Sequence, residues 1–233
     1  NRRIINQNYM PTPLNIGTRD IPLKLAKNIT EVVLGFWDSG EIISKVSPIT
    51  KDLLNFWFKE PHIDTRKINF HEGQKQAILN VIYLHEILKT TSVVDIYQNI
   101  NSELLLEINS VELKKPKYEI PKYAIKMATG TGKTWVMHAL MIWQYLNAKY
   151  EEEKTNRYSK NFLLVAPGLI VYERLLDAFL GKENNKGERE FEKSDFYLFQ
   201  DVFIPPSYRD ELFGFIQGSV AKKEEIGTKV TGD

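Results

Sequence analysis

Lys133 and Thr134 directly follow two closely spaced glycines, in the run Met127-Ala128-Thr129-Gly130-Thr131-Gly132-Lys133-Thr134. Glycines let a backbone curl until several N–H groups face one hollow, and a helix beginning there adds the positive end of its dipole. In such a loop Lys133 reaches the β- and γ-phosphates of a nucleotide and the Thr134 hydroxyl holds Mg²⁺. Ala128, Thr129, Gly130, Thr131 and Gly132 supply the backbone around the phosphates. The strict pattern has glycine six positions before the lysine, where this chain has Met127, so only its second half, Gly130-x-Gly132-Lys133-Thr134, is kept. The competing reading is a chance Gly/Thr turn that starts a helix.

Placing those groups takes a strand before the loop and a helix after it. Tyr123-Ala124-Ile125-Lys126 reads as the strand, and the apolar stretch from Trp135 to Leu146 as a buried helix. Asn161-Phe-Leu-Leu-Val-Ala-Pro167 reads as a second strand, apolar enough to be covered on both faces. Gly168 to Leu180 follows as a helix, Asp195-Phe-Tyr-Leu-Phe199 as a third strand, and Tyr208 to Phe215 as a last helix. Strands alternating with helices predict an α/β fold: a partial RecA-like parallel sheet around the phosphate loop, with helices on both faces.

Upstream, Glu31-Val-Val-Leu-Gly-Phe-Trp-Asp38 and Glu41-Ile-Ile-Ser-Lys-Val46 read as a hairpin around Asp38-Ser39-Gly40. A helix is expected over Thr50 to Phe58 and another, amphipathic, over Phe70 to Leu88. Residues 89–121 are mixed and polar, with Pro116 and Pro121 bracketing a loop before the strand at 123. The expected organisation is a small N-terminal accessory region over 1–66 and an incomplete nucleotide-binding lobe over 67–233.

Composition narrows the function classes. Apolar and charged fractions of 42% and 26% are ordinary for a globular chain, and a net charge of +1 gives no electrostatic argument for nucleic acid or membrane. The absence of cysteine removes disulfides and thiolate metal sites. His62, His71, His85 and His138 lack any ligand spacing. No apolar run approaches a membrane span and the first residues do not form a signal peptide, so the expectation is a cytoplasmic protein without membrane contact.

Taken together, the loop, the glutamine of Gln74-Lys-Gln-Ala77 and the strand ending Ala166-Pro167 resemble the first motor lobe of superfamily 2 helicases. The closest resemblance is to the restriction-subunit (DEAD/DEAH-like) branch, that of type III restriction enzymes, whose phosphate loop commonly reads M-A-T-G-T-G-K-T. The resemblance spans roughly residues 50–215 and implies that Gln74 reads the adenine edge of ATP. The family usually has arginine and an aromatic residue three and one positions before that glutamine; His71 and Gly73 stand there. Val165 to Leu175 is similar to the segment that contacts the nucleic-acid backbone, which makes Pro167, Gly168 and Arg174 candidate DNA contacts. An ordinary strand-to-helix turn is the alternative there.

The implied cofactors are ATP and Mg²⁺, the implied partner is double-stranded DNA, and a DNA-methyltransferase (modification) subunit is a further candidate partner. The implied function is the ATP-binding portion of a DNA-translocating restriction enzyme or helicase subunit. Such a motor also needs an Asp for Mg²⁺ and a Glu to activate water at the end of an apolar strand. Asp95, Asp177 and Asp210-Glu211 are the candidates, and none has the required context, so no catalytic residue is assigned. The first residue is not Met and the chain stops at Asp233, so the expectation is a fragment ending before the acidic motif, inactive by itself. A catalytically silent nucleic-acid- or protein-binding module with a motor-lobe fold is the alternative, and a small-molecule kinase is a more distant one.

Overall fold

A computed structural model describes residues 20–108, 113, 122–150 and 157–222. They fall into two compact units, which divide inside one helix between Ile78 and Leu79. The first unit draws on Asn1–Glu41 and Leu79–Ile125, the second on Ile42–Ile78 and Lys126–Asp233.

The first unit is built on helix α1 (Ile21–Asp38). Ile21, Leu25, Ile29 and Val33 recur every four residues and are all buried, which is the stripe of a helix packed on one side. The hairpin expected over 31–46 is therefore absent: 31–38 completes α1, and Glu41–Lys45 is a short helix, α2. The β-branched run Val32-Val33 reads as a strand only in a window that omits Ile21 and Leu25. Pro22 sits in the first helical turn, where a missing N–H costs nothing.

Helix α4 (Glu72–Ile82) ends in a π turn, Tyr83–Ile87. The mixed, polar stretch that follows holds helix α5 (Val93–Ile100) and a 3₁₀ segment, Ser102–Glu107. A capping box starts α5: Ser92 Oγ accepts from Asp95 N–H at 3.1 Å, while Asp95 Oδ2 accepts from Ser92 N–H at 3.0 Å. The loop expected between Pro116 and Pro121 lies outside the described residues.

The second unit joins helix α3 (Pro48–Phe58) to helix α6 (Lys133–Tyr150). Ser47 caps α3, its hydroxyl accepting from Thr50 N–H at 3.0 Å. Thr50 is fully buried, and its Oγ1 accepts from Trp143 Nε1 at 2.9 Å and from Asn147 Nδ2 at 3.0 Å. A second tie runs from Trp57 Nε1 to the Phe203 carbonyl at 2.8 Å. Trp57 and Phe58 are thus core residues, buried with Phe70.

Helix α7 (Leu169–Leu180) follows, then short helices α8 (Asp195–Leu198) and α9 (Gln200–Phe203), and finally α10 (Arg209–Ser219). The third expected strand, 195–199, is therefore helical, started by Ser194, whose hydroxyl accepts from Tyr197 N–H at 3.2 Å. Phe196, Phe203, Ile204 and Leu212 close the core.

The parallel sheet is the main correction to the expected fold. Among the described residues there is no strand; the one β-pairing is an isolated antiparallel bridge between Glu183 and Arg189. Residues 122–128 and 161–166 have no regular structure and no ladder partner. Leu163 and Val165 are 83% and 81% exposed, so the apolar run that signalled a strand covered on both faces is covered on neither. A strand exists only through its neighbours, because its N–H and C=O groups bond outside the segment. The fold of the described residues is helical.

Candidate nucleotide-binding site

The glycine loop follows residues 122–128, which have no regular structure, and ends where α6 begins at Lys133. Gly130 and Gly132 both lie in the left-handed region, with φ of 81° and 69°. The Ala128 carbonyl organises the turn. It accepts from the Thr131 hydroxyl at 2.7 Å, from Thr131 N–H at 3.4 Å and from Lys133 Nζ at 2.7 Å. Lys133 thus folds back across the loop, with its ammonium over the turn where a phosphate would lie. Trp135, in the first turn of α6, packs its ring at 4.9 Å from both Phe199 and Phe203, fixing the helix start in the core.

Gln74 is brought to this loop by the first turn of α4. Its side chain is 4% exposed, and its Nε2 donates to the Gly132 carbonyl at 3.2 Å. Its Oε1 accepts from His71 N–H at 3.0 Å. Returning the contact, His71 Nδ1 accepts from Gly73 N–H at 3.0 Å and from Gln74 N–H at 3.3 Å. This is a capping box with histidine in the usual Ser/Thr position. The other ring nitrogen of His71 lies 3.0 Å from the Thr131 carbonyl oxygen.

Gly132 is needed for two reasons. Its φ suits a residue without a side chain, and a Cβ there would collide with the Gln74 amide. The set of loop N–H groups, helix start and ammonium fits an anion. The fit to Mg²⁺ is narrower. Thr134 offers one hydroxyl, and no group of three His, Asp or Glu gathers among the described residues. A magnesium ion here would arrive with the phosphates, which supply most of its oxygens.

The other predicted positions lie elsewhere in the second unit. Pro167 and Gly168 lead into α7 and line a shallow apolar depression with Leu169, Ile170 and Val171. Arg174 is exposed on the same helix. Its neighbour Glu173 is bound by Arg189, which also contacts Asp177 at 2.8 Å and Glu183 at 3.3 Å. Asp177 is thereby engaged in an ion pair. Glu211 pairs with Lys149 at 2.6 Å and with the Tyr150 hydroxyl. Asp95 serves its capping box, and hydrogen bonds from Thr91, side chain first, hold its carboxyl below the usual range.

Sequence reasoning missed two features of the site's surroundings. His71 reads in the sequence as a departure from a pattern and as a histidine without ligand spacing, although its position three residues before Gln74 is that of a helix cap. His138, on α6, is fully buried among Phe179, Phe196 and Phe203, with neither ring nitrogen hydrogen-bonded. Burial lowers its pKa to about 3, so it is a neutral core residue.

A glycine loop opening a helix at Lys-Thr is the local pattern of nucleotide phosphate-binding loops. The family model for the type III restriction enzyme res subunit matches residues 67–204, more than half of the chain. The chain belongs to that family, one of helicase-like, ATP-dependent restriction subunits. No curated protein and no solved structure matched it. Among the described residues, no helix is long and apolar enough to cross a membrane.

Proposed function

We propose that this chain is the ATP-binding portion of a DNA-translocating restriction or helicase subunit, in which ATP turnover is coupled to movement along double-stranded DNA. The observation that supports it most is the loop itself: two left-handed glycines, Lys133 over the Ala128 carbonyl, and a helix starting at Lys133. In this reading Lys133 leaves the Ala128 carbonyl for the β- and γ-phosphates. The loop amides from Thr129 to Thr134 surround the phosphates, and the Thr134 hydroxyl completes the coordination of the Mg²⁺ they carry. Pro167, Gly168 and Arg174 are proposed contacts to the DNA backbone, and a modification methyltransferase is the proposed protein partner.

The test uses the full-length protein. Lys133→Ala abolishes DNA-stimulated ATP hydrolysis and leaves DNA binding largely intact. Hydrolysis that survives this change removes Lys133 from the phosphate site.

One observation favours the alternative, a silent binding module on the same scaffold. Of the carboxylates considered for magnesium and water activation, Asp95, Asp177 and Glu211 are engaged in a cap or in ion pairs, and Asp210 is exposed in the first turn of α10. A full-length protein that binds Mg-ATP but shows no turnover above background, with or without DNA, selects that reading.

A further inference from the structure

His71 touches both the start of α4 and the phosphate loop, and its two ring nitrogens have different tasks. Nδ1 receives N–H bonds from Gly73 at 3.0 Å and Gln74 at 3.3 Å, so it is an acceptor without a proton. The ring proton of a neutral imidazole then sits on Nε2, which faces the Thr131 carbonyl oxygen at 3.0 Å and donates to it. The local hydrogen bonds therefore fix the tautomer.

The consequence for the loop follows from peptide geometry. A planar trans peptide points its C=O and the following N–H in opposite directions. The Thr131 carbonyl shares its plane with Gly132 N–H, and the Gly132 carbonyl shares its plane with Lys133 N–H. His71 holds the first carbonyl and Gln74 the second, both from the beginning of α4. Both peptide N–H groups are thus turned away from α4, toward the side on which an anion can be received.

Gly73 is part of the same device. A Cβ at position 73 would lie 3.1 Å from His71 Cε1 and 3.3 Å from Nδ1, tighter than ordinary contact. The ring cannot withdraw from it without stretching its bonds on both edges. Histidine at 71 and glycine at 73 belong together: the bare backbone at 73 lets the imidazole fold over it.

We propose that His71 is a positioning residue for triphosphate binding, which as the Nε2–H tautomer caps α4 and turns the Thr131–Gly132 peptide so that its N–H faces the phosphates. The proposal rests on the nucleotide-site reading above and adds a residue to it. The test variant is His71→Asn, because asparagine is a good helix cap but too short to reach Thr131.

Mg-ATP and magnesium tripolyphosphate are titrated calorimetrically into the wild-type chain, His71→Asn and Lys133→Ala, with thermal unfolding of each. His71→Asn is expected to melt within a few degrees of wild type and to weaken both ligands by roughly fivefold to tenfold, the loss of one positioned hydrogen bond. Nitrogen-15 spectra of the wild-type imidazole are expected to show an unprotonated Nδ1 and a protonated Nε2. Unchanged affinity of a folded His71→Asn protein, or an Nδ1–H tautomer, overturns the role of His71 alone if Lys133→Ala has lost binding. Wild type that binds neither ligand, or Lys133→Ala that binds like wild type, overturns the nucleotide site and this proposal with it.

Discussion

Gln74 Nε2 donates to the Gly132 carbonyl at 3.2 Å, and the bare α-carbon of Gly132 is what lets that amide approach. The relationship links helix α4 to the glycine loop by a direct bond. At Gly132 a side chain would be strained by the left-handed φ of 69°, and a Cβ would push the Gln74 amide off the carbonyl. Gly132→Ala is expected to destabilise the second unit by about 1–3 kcal/mol, the cost of a strained left-handed residue, and to weaken Mg-ATP binding. Urea unfolding and calorimetry on the same protein read both effects. An alanine variant with unchanged midpoint and affinity would show that the loop does not hold this shape.

Gly73→Ala sets two effects against each other. Alanine inside a helix is favoured over glycine by roughly 0.5–1 kcal/mol, but its Cβ crowds the His71 ring. Stability is expected to stay level or rise slightly while Mg-ATP affinity falls. A variant that gains stability and keeps full affinity would mean that the ring has room to move.

Thr50 is the acceptor shared by Trp143 and Asn147, and it joins α3 to α6. Thr50→Val keeps the shape and removes the oxygen, so two donors lose this acceptor inside the core. A loss of about 2–4 kcal/mol is expected, read as a lower urea midpoint with an unchanged slope. A midpoint shift worth less than about 0.5 kcal/mol, the scale of an ordinary surface substitution, would mean that the knot contributes little.

His138 gives the chain an acid-sensitive core. Burial lowers its folded pKa from 6.5 to about 3, so between those values the unfolded chain binds a proton that the folded chain does not. Stability contributed by this group is full above pH 6.5 and falls as pH drops toward 3, by on the order of 1.4 kcal/mol per pH unit. His138→Leu removes that slope and relieves two buried ring nitrogens without partners. It is expected to be more stable than wild type at pH 5, with the gap narrowing toward pH 7. Parallel pH dependence of the two proteins would contradict the assignment.

What could be read from the sequence depended on whether the signal was local. The loop, the helix starting at Lys133, and the helices over 48–58, 72–82 and 169–180 have their spacing, caps and glycines within a few residues of one another. The strands did not follow, because apolar composition says what Phe162 to Val165 would bury and not whether a partner lies beside them. Asp195 to Phe199 failed differently: four apolar residues in a row fit a strand or a helix turn, and the Ser194 cap decides between them. At the site, Gln74 was singled out by resemblance as an adenine contact and its bond to the loop was not foreseen, and His71 was passed over because a histidine cap is rare and its second contact is long-range.

The central claim is that residues 128–134 bind the phosphates of ATP through Lys133. The most direct measurement is calorimetric titration of Mg-ATP into the chain and into Lys133→Ala, with circular dichroism showing that both are equally folded. Saturable binding by the wild-type chain, weakened at least about tenfold by the substitution, on the order of 1.4 kcal/mol, is the predicted result. Equal affinity of the two proteins, or no binding by the wild type, would contradict it.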